Sequence, residues 1–273
     1  MQKSEQLQTQ YLTLPEGKIA YDVRGEGPLL LCLPGIFDMR SEYRFLAPLL
    51  AQAGYRVVTM DWRGLGETSA RWPSYAPQDI SGDILAMIRH FGDEPAYLVA
   101  HSYNSASSVI LAATHPEAVR AMALHGPFVR DHMPAWMAHP MNEILYARPW
   151  GLALWKWYYS TSFPVNKPAD FDEYFAAQMA MLREPGRLRA MRHLTAFAAA
   201  QAKLGEVKTP TLILVGERDR DYKPQAEAEW IQAHIPGSKA QMIADAGHYL
   251  VAQVPEVASQ AIIGFFQSLP SSR

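Results

Sequence analysis

Short apolar runs alternate with segments of helical periodicity along most of the chain. From Leu29 onward the apolar runs are continuous, which is typical of parallel strands that are covered by helices on both faces. The first two runs are separated by Pro15-Glu16-Gly17 and predict an antiparallel hairpin. The predicted strands are Tyr11–Leu14, Ile19–Arg24, Leu29–Leu33, Arg56–Met60, Tyr97–Ala100, Ala121–His125, Thr211–Val215 and Ala240–Ile243.

Helical patterns lie between these strands and predict crossover connections. The predicted helices of this part are Ser41–Ala53, Pro77–Phe91, Ser102–His115, Pro224–His234 and Pro255–Phe266. Strands that alternate with helices form a mostly parallel, doubly wound sheet, so the fold class is α/β.

The alternation stops between Phe128 and Gly205, where the pattern predicts only helices. These are Asn142–Ala147, Trp150–Ser160, Asp170–Arg183 and Gly186–Lys203, with Asp170 and Glu173 as a helix-start signal for the third. Ligands bind at the carboxyl edge of an open parallel sheet, and the insertion leaves the sheet at that edge. We therefore expect a core formed by residues 1–127 and 206–273, and a helical cap, residues 128–205, that covers the site.

Composition and charge exclude several function classes. Hydrophobic residues make up 49% of the chain, charged residues 19%, and the formal net charge is −2. Because such a chain has no strong positive field, binding to nucleic acid or to a membrane surface is disfavoured. Cys32 is the single cysteine and lies in an apolar run, so no intrachain disulfide can form and a buried thiol is expected.

Targeting and cofactor signals are also missing from the sequence. The first nine residues are polar and contain no apolar secretory core, and no apolar stretch is long enough to span a bilayer, so a cytoplasmic location is expected. The chain has no His-Glu-x-x-His motif, and Gly64-Leu-Gly66 lacks the third glycine of a dinucleotide fingerprint. We therefore expect no metal and no cofactor.

The strongest local signal is the segment Tyr97-Leu-Val-Ala-His-Ser-Tyr-Asn-Ser, in which an apolar strand runs into a helix of small residues. A serine at such a junction matches a nucleophile elbow, which lifts the hydroxyl clear of the sheet. Ala100 is suitably small at the position two before Ser102. Asn104, two after, departs from the usual glycine.

This chain resembles the α/β-hydrolase superfamily, in the capped branch that includes esterases, lactonases, C–C bond hydrolases, epoxide hydrolases and cofactor-free haloperoxidases. The resemblance extends from about Leu14 to Leu269, and four further motifs follow the family's order. They are the oxyanion loop Leu33-Pro-Gly-Ile-Phe37, in which Pro34 replaces the usual histidine; the turn Asp61-Trp-Arg-Gly-Leu-Gly-Glu-Thr68; the acid loop Leu214-Val-Gly-Glu-Arg-Asp219; and the histidine loop Ala246-Gly-His-Tyr249.

The resemblance implies a role for each matched residue. Ser102 would be the nucleophile, His248 its general base and Asp219 the acid that orients His248, with Asp221 as the alternative acid. The backbone N–H groups of Ile36 and Tyr103 would form the oxyanion hole. The family's epoxide hydrolases carry aspartate at the elbow, so a serine there favours acyl transfer.

The resemblance therefore implies a serine hydrolase for a small, largely apolar ester or lactone. Alternatives with the same triad are a C–C bond hydrolase, a cofactor-free perhydrolase and an acyltransferase; a ligand receptor that retains the triad is an alternative of another class. The cap is rich in tryptophan, which favours an apolar substrate. The candidates for contacting it are Phe37, Phe128, Trp136, Trp155 and Tyr249. The sequence does not indicate an oligomeric state.

Overall fold

A computed structural model of the chain describes residues 7–132, 134–147, 149–194 and 197–270 and has an eight-stranded sheet at its centre. The strand order is β1-β2-β4-β3-β5-β6-β7-β8. The pairs β1–β2 and β2–β4 are antiparallel and all others are parallel, which confirms the predicted α/β class and hairpin. The strands are β1 Gln10–Leu14, β2 Gly17–Arg24, β3 Leu29–Leu33, β4 Arg56–Met60, β5 Ala96–His101, β6 Val119–His125, β7 Thr211–Gly216 and β8 Lys239–Ile243.

The helices flank the sheet or lie in residues 128–205, the segment predicted to be a cap and called the cap below. They are α1 Leu46–Gln52, α2 Pro77–His90, α3 Asn104–Thr114, α4 Ala135–Leu145, α5 Gly151–Thr161, α6 Phe171–Arg183, α7 Arg187–Arg192, α8 Ala198–Gln201, α9 Pro224–His234, α10 Leu250–Gln253 and α11 Pro255–Gln267. The helix predicted at 41–53 is in fact a 3₁₀ turn, Arg40–Tyr43, followed by α1. None of the helices in the described part of the chain is long and apolar enough to cross a membrane.

The central strands are buried on both faces, as their continuous apolar runs predict. Every residue of β3 and of β5 is buried, and separate apolar clusters cover the two faces of the sheet. The chain passes from β3 to β4 on one side and then returns to β5 on the other side of β3. The loops after β3 and β5 therefore diverge at the topological switch point, where open α/β sheets bind ligands.

The segment between β6 and β7 contains helices α4 to α8, and its boundaries differ from those predicted. Helix α4 begins at Ala135, upstream of the predicted 142, and contains Pro140; the helix predicted at 186–203 is two short helices, α7 and α8. Helix α6 follows Asp170, but the Asp170 side chain does not cap it. Its carboxylate instead accepts two hydrogen bonds from Arg44, at 2.6 and 2.7 Å, and so joins the cap to the core.

The turn after β4 is organised around the buried carboxylate of Asp61. That carboxylate accepts hydrogen bonds from the backbone N–H and the guanidinium of Arg40 and from the N–H of Glu67. A Cβ on Gly66 would lie 2.1 Å from it, which explains the glycine. Arg63, in the same turn, donates two hydrogen bonds to the carboxylate of Asp83 of α2.

Candidate active site

Ser102 lies at a strained turn between β5 and α3. Its φ is +51°, in the left-handed region that residues other than glycine seldom adopt and that costs of order 1–3 kcal/mol. Three backbone hydrogen bonds hold it there. Its N–H donates to the carbonyl of His125 at 3.1 Å, and its carbonyl accepts from the N–H groups of Ser105 at 3.0 Å and Phe128 at 3.2 Å. The backbone thus adopts the conformation expected for a nucleophile elbow.

His248 lies in the loop after β8, with two carboxylates on the same ring nitrogen. Its Nδ1 is 2.8 Å from Oδ2 of Asp219 and 3.3 Å from Oδ2 of Asp221. The other oxygen of Asp219 accepts the N–H of Asp221 at 2.9 Å. Asp219 is therefore the closer and better-fixed acid, and Asp221 is a second acid on the same imidazole.

The electrostatics of this group favour the protonated imidazole. Burial alone would lower the pKa of His248, but the charges of Asp219 and Asp221 and the hydrogen bond to Asp219 outweigh burial and raise the pKa to about 9. Burial would likewise raise the pKa of Asp219, but His248 holds it below its ordinary value. The two carboxylates are therefore already placed to stabilise the imidazolium that would form if His248 accepted a proton.

Tyr158 connects the cap to this group. The residue lies on α5, and its hydroxyl donates to Oδ2 of Asp221 at 2.5 Å. The sequence analysis did not identify Tyr158, because nothing in a helical pattern indicates that a cap tyrosine reaches an acid sixty-three positions further along the chain.

The predicted oxyanion loop is fixed by side chains on both of its flanks. Asn104 Nδ2 donates to the carbonyl of Pro34 at 2.6 Å, and Trp62 Nε1 donates to the carbonyl of Gly35 at 3.1 Å. A hydrogen bond therefore joins Pro34 and Asn104, the two positions that depart from the family motif. The assignment of the Ile36 and Tyr103 N–H groups as oxyanion donors stays a prediction.

Two of the predicted substrate-contacting aromatics lie beside His248. The ring centroid of Phe128 is 5.8 Å from that of His248, and Phe128 is only half-buried. Tyr249 is buried, with ring centroids 5.4 Å from His248 and 4.9 Å from Tyr159 of the cap. Phe128 thus has the position expected of a pocket wall, whereas Tyr249 lies between His248 and Tyr159.

The other three candidates lie elsewhere. Phe37 and Trp155 are buried against each other, with ring centroids 4.4 Å apart, at the contact between the loop after β3 and the cap. Trp136 is 76% exposed on α4, so nothing in the structure supports its contact with a substrate, which stays a prediction. The ring centroid of Phe197, which was not among the predicted residues, is 5.2 Å from that of Tyr103 and 6.0 Å from that of Phe128.

Among the residues that the structure describes, two groups of side chains bring together atoms of the type that bind metals. One is Asp219, Asp221 and His248, the group already described; the other is Glu42, His101 and His125. In the second group, the imidazole rings of His101 and His125 are stacked with an angle of 5° between their planes. The nitrogen lone pairs therefore lie in two nearly parallel planes and do not point toward one common metal position. Tyr43 also occupies Nε2 of His125 at 2.9 Å.

Comparisons with known proteins agree with this architecture. The profile of a family described as the alpha/beta hydrolase fold matches residues 28–253. Epoxide hydrolase B of Mycobacterium tuberculosis is 33% identical over 94 residues, which cover 34% of this chain but only 26% of that relative. 2-(Acetamidomethylene)succinate hydrolase of Mesorhizobium japonicum is 27% identical over 270 residues, 92% of this chain and 93% of that relative. The crystal structure of bromoperoxidase from Bacillus anthracis has a TM-score of 0.82 at 18% identity and covers 96% of this chain and 100% of that one.

Proposed function

The chain belongs to the α/β-hydrolase fold family, and its similarity to known hydrolases supports hydrolytic activity. On that premise we propose that it is a serine hydrolase of small, largely apolar carboxylic esters or lactones. One observation carries the proposal: a strained serine at the end of β5, together with an imidazole whose Nδ1 is 2.8 Å from a buried carboxylate. This combination is suited to nucleophilic attack on a carbonyl carbon.

The proposed reaction proceeds through an acyl-enzyme. His248 accepts the proton of the Ser102 hydroxyl as its oxygen bonds to the substrate carbonyl carbon. The N–H groups of Ile36 and Tyr103 stabilise the resulting oxyanion. Collapse of this intermediate breaks the bond to the leaving alcohol, which takes the proton from His248. Water then attacks the acyl-enzyme with the same base, which releases the acid and restores Ser102.

The nucleophile also argues against transferring the activity named for the mycobacterial relative. A carboxylate that opens an epoxide forms an ester, which water cleaves at its carbonyl. Ser102 attacking the same ring would form an ether, which has no carbonyl for water to attack, so the enzyme would not turn over. We therefore propose acyl transfer rather than epoxide opening.

The aromatic surroundings support an apolar substrate. Phe128 is half-buried beside the base, and Phe197 contacts both Phe128 and Tyr103, the residue that follows the nucleophile. An apolar acyl or alcohol group gains roughly 25 cal/mol for each Å² that it buries against such rings. Shape and length of the substrate would then decide affinity more than charge does.

The test is hydrolysis of p-nitrophenyl esters of increasing chain length, with Ser102→Ala beside the wild type and labelling by a fluorophosphonate. Ser105→Ala is the matched control, because Ser105 is a buried neighbour that lies on α3, past the elbow. We expect turnover and labelling that need Ser102 and tolerate Ser105→Ala. Labelling of Ser102 without turnover of any ester would contradict the ester proposal and favour C–C cleavage, acyl or peroxide transfer, or a receptor role.

A receptor would be distinguished by calorimetry on the same protein. A ligand that binds without being turned over stabilises the folded state in proportion to the logarithm of its concentration. A large rise in Tm with an intact, unconsumed ligand would therefore contradict the proposed hydrolysis.

A further inference from the structure

Glu42 carries a carboxyl group into the core beneath the candidate site. It lies in the 3₁₀ turn Arg40–Tyr43 and is 1% exposed. A carboxyl group removed from water at this depth is costly unless both oxygens find partners. Oε2 accepts the backbone N–H of Gly35 at 2.8 Å. Oε1 is in close contact with His101, 2.8 Å from its Nδ1, but the direction of approach is not that of a hydrogen bond. Glu42 thus contacts the oxyanion loop on one side and the strand of the nucleophile on the other.

His101 extends this contact to the loop of the base. It is the last residue of β5, directly before Ser102, and is fully buried. Its Nε2 is 3.0 Å from the backbone carbonyl oxygen of His248. A Cβ placed on Gly35 would lie 2.6 Å from Nδ1 of His101, so the oxyanion loop packs directly on this ring.

The hydrogen-bond partners define where the protons are. A carbonyl oxygen can only accept, so Nε2 of His101 must carry the proton that it shares with His248. In a neutral imidazole Nδ1 then carries a lone pair, which would repel an ionised carboxylate oxygen only 2.8 Å away, so the short contact requires Glu42 to be a carboxylic acid.

The surrounding charges agree with a neutral pair. Burial raises the pKa of Glu42 to about 8, against the opposing effects of the Gly35 N–H, His248 and Arg44. Burial, and then the charge of His248, lowers the pKa of His101 to about 3. The alternative, an ion pair, would place two charges in a part of the core where desolvation is expensive.

The ionisable groups that interact electrostatically with Glu42 come from several elements. The charged or acid–base groups are Asp38, Arg44, His101 and His248. The phenols are Tyr43, Tyr159, Tyr174 and Tyr249, and the thiol is that of Cys32. Among these, Asp38 also has a raised pKa, about 7, owing to burial and to the neighbouring Glu42.

We propose that Glu42, as a protonated acid, and His101 form a positioning pair that holds the oxyanion loop at a fixed distance from the loop of the catalytic base. The continuous path is Gly35 N–H to Glu42, Glu42 to His101, and His101 to the carbonyl of His248. Neither side chain touches the substrate. The meaning of the path for catalysis rests on the proposed function, because that function gives Ile36 and His248 their roles.

Loss of the pair should reduce transition-state stabilisation more than substrate binding. Oxyanion donors act on charge that develops during the reaction, and removal of one costs about 10²–10³-fold in kcat in a known serine protease. Displacement of a donor should cost less than its removal. We therefore expect a loss of about 10–100-fold in kcat, with KM nearly unchanged.

Two substitutions at one position make the test specific. Glu42→Gln can still accept from Gly35 N–H and places an uncharged amide N–H group beside His101 Nδ1, so it imitates the protonated acid. Glu42→Leu has a similar volume but neither the hydrogen bond nor the polar contact. On a p-nitrophenyl ester we expect Glu42→Gln to stay within about 3-fold of wild type in kcat and Glu42→Leu to lose about 10–100-fold. The kcat of the double variant Glu42→Leu/His101→Leu should be about the same as that of the more damaged of the two single variants, because the two residues act as one unit.

A second readout does not depend on activity. The raised pKa of Glu42 means that its protonated form stabilises the fold fully below its ordinary pKa of 4.5, and that this contribution is lost as the pH rises to about 8. The Tm of the wild type, relative to that of Glu42→Gln, should therefore fall between about pH 5 and pH 8 and level off above it. Asp38 is present in both proteins, so its own titration largely cancels in the difference.

The outcomes separate this proposal from the proposed function. If Glu42→Gln loses as much kcat as Glu42→Leu and the two Tm curves run parallel, the residue acts as a carboxylate and the protonated pair is refuted. If Glu42→Leu keeps wild-type kcat, the pair has no positioning role. If the wild type hydrolyses no ester, the proposed function fails; the rate of fluorophosphonate labelling of Ser102 then replaces kcat and the same ranking of variants is required.

Discussion

The two acids on His248 make the cost of removing either one a sensitive test of the site. In Asp219→Asn, the oxygen of the new side-chain amide can keep the N–H of Asp221, and the amide nitrogen then donates toward Nδ1 of His248. That arrangement favours the imidazole tautomer with its proton on Nε2, which cannot accept the proton of Ser102. Asp221, 3.3 Å from the same Nδ1, must compete to restore the productive tautomer.

The distances set the expected magnitude. With an effective dielectric constant of about 20, an imidazolium at 2.8 Å from a carboxylate is attracted by about 6 kcal/mol, and one at 3.3 Å by about 5 kcal/mol. Asp221 therefore retains most of the attraction to the cation. Loss of a lone orienting acid costs about 10⁴-fold, so we expect about 10²–10³-fold for Asp219→Asn. Asp221→Asn leaves the shorter pair intact and should cost less than about 10-fold.

The assay is kcat/KM on an ester substrate as a function of pH. Because His248 must be neutral to accept a proton, activity should rise with pH through its raised pKa of about 9. Each single substitution removes one negative charge and should move that midpoint to lower pH. Replacement of both acids should lower kcat/KM by about 10⁴-fold, the loss expected when no acid orients the histidine.

Three results would refute this reasoning. A larger loss for Asp221→Asn than for Asp219→Asn would make Asp221 the principal acid. A full 10⁴-fold loss for Asp219→Asn alone would mean that Asp221 gives no support. An unchanged pH midpoint in both variants would mean that the carboxylates do not set the pKa of His248. Equal Tm values serve as the control for folding.

Three further substitutions test separate parts of the site. Ser102→Ala should lower kcat by more than about 10³-fold with little change in Tm, and an active variant would contradict the nucleophile assignment. Gly126→Ala should lower kcat by at least about 10-fold, because its Cβ would lie 3.0 Å from Nδ1 of His248. The control is Gly237→Ala, which also has a positive φ but open space around it, so it should lose only about 1 kcal/mol of stability. Phe128→Ala should raise KM for the preferred ester about 10-fold, whereas exposed Trp136→Ala should leave KM unchanged; equal effects would contradict the pocket position of Phe128.

The order of elements was predictable because it depends on local patterns. Continuous apolar runs identified the parallel strands, and β3 and β4 have the predicted bounds of 29–33 and 56–60. The cap was harder, since α4 contains an internal proline and α7 and α8 are short. Tertiary packing rather than periodicity stabilises helices of this length, so a sequence pattern cannot fix their ends.

Candidate chemistry was predictable where a motif carries its own backbone geometry. The strand, the serine and the small residues around it required a sharp turn, and Ser102 has the positive φ that such a turn needs. Trp136 shows the limit of composition as evidence, because a cap rich in tryptophan does not indicate which rings face inward. The structure exposes Trp136 and buries Trp155 on a neighbouring helix.

By itself, the sequence determined the α/β class, the order of the strands along the chain and which residues could act as nucleophile, base and acid. The tertiary structure alone decided that Asp219 and Asp221 lie on one nitrogen, that Asn104 bonds to Pro34, and that Glu42 reaches His101. The physical reason is distance along the chain. Patterns record which face of an element is buried, whereas hydrogen bonds between loops that are tens of residues apart depend on how the completed sheet brings their ends together.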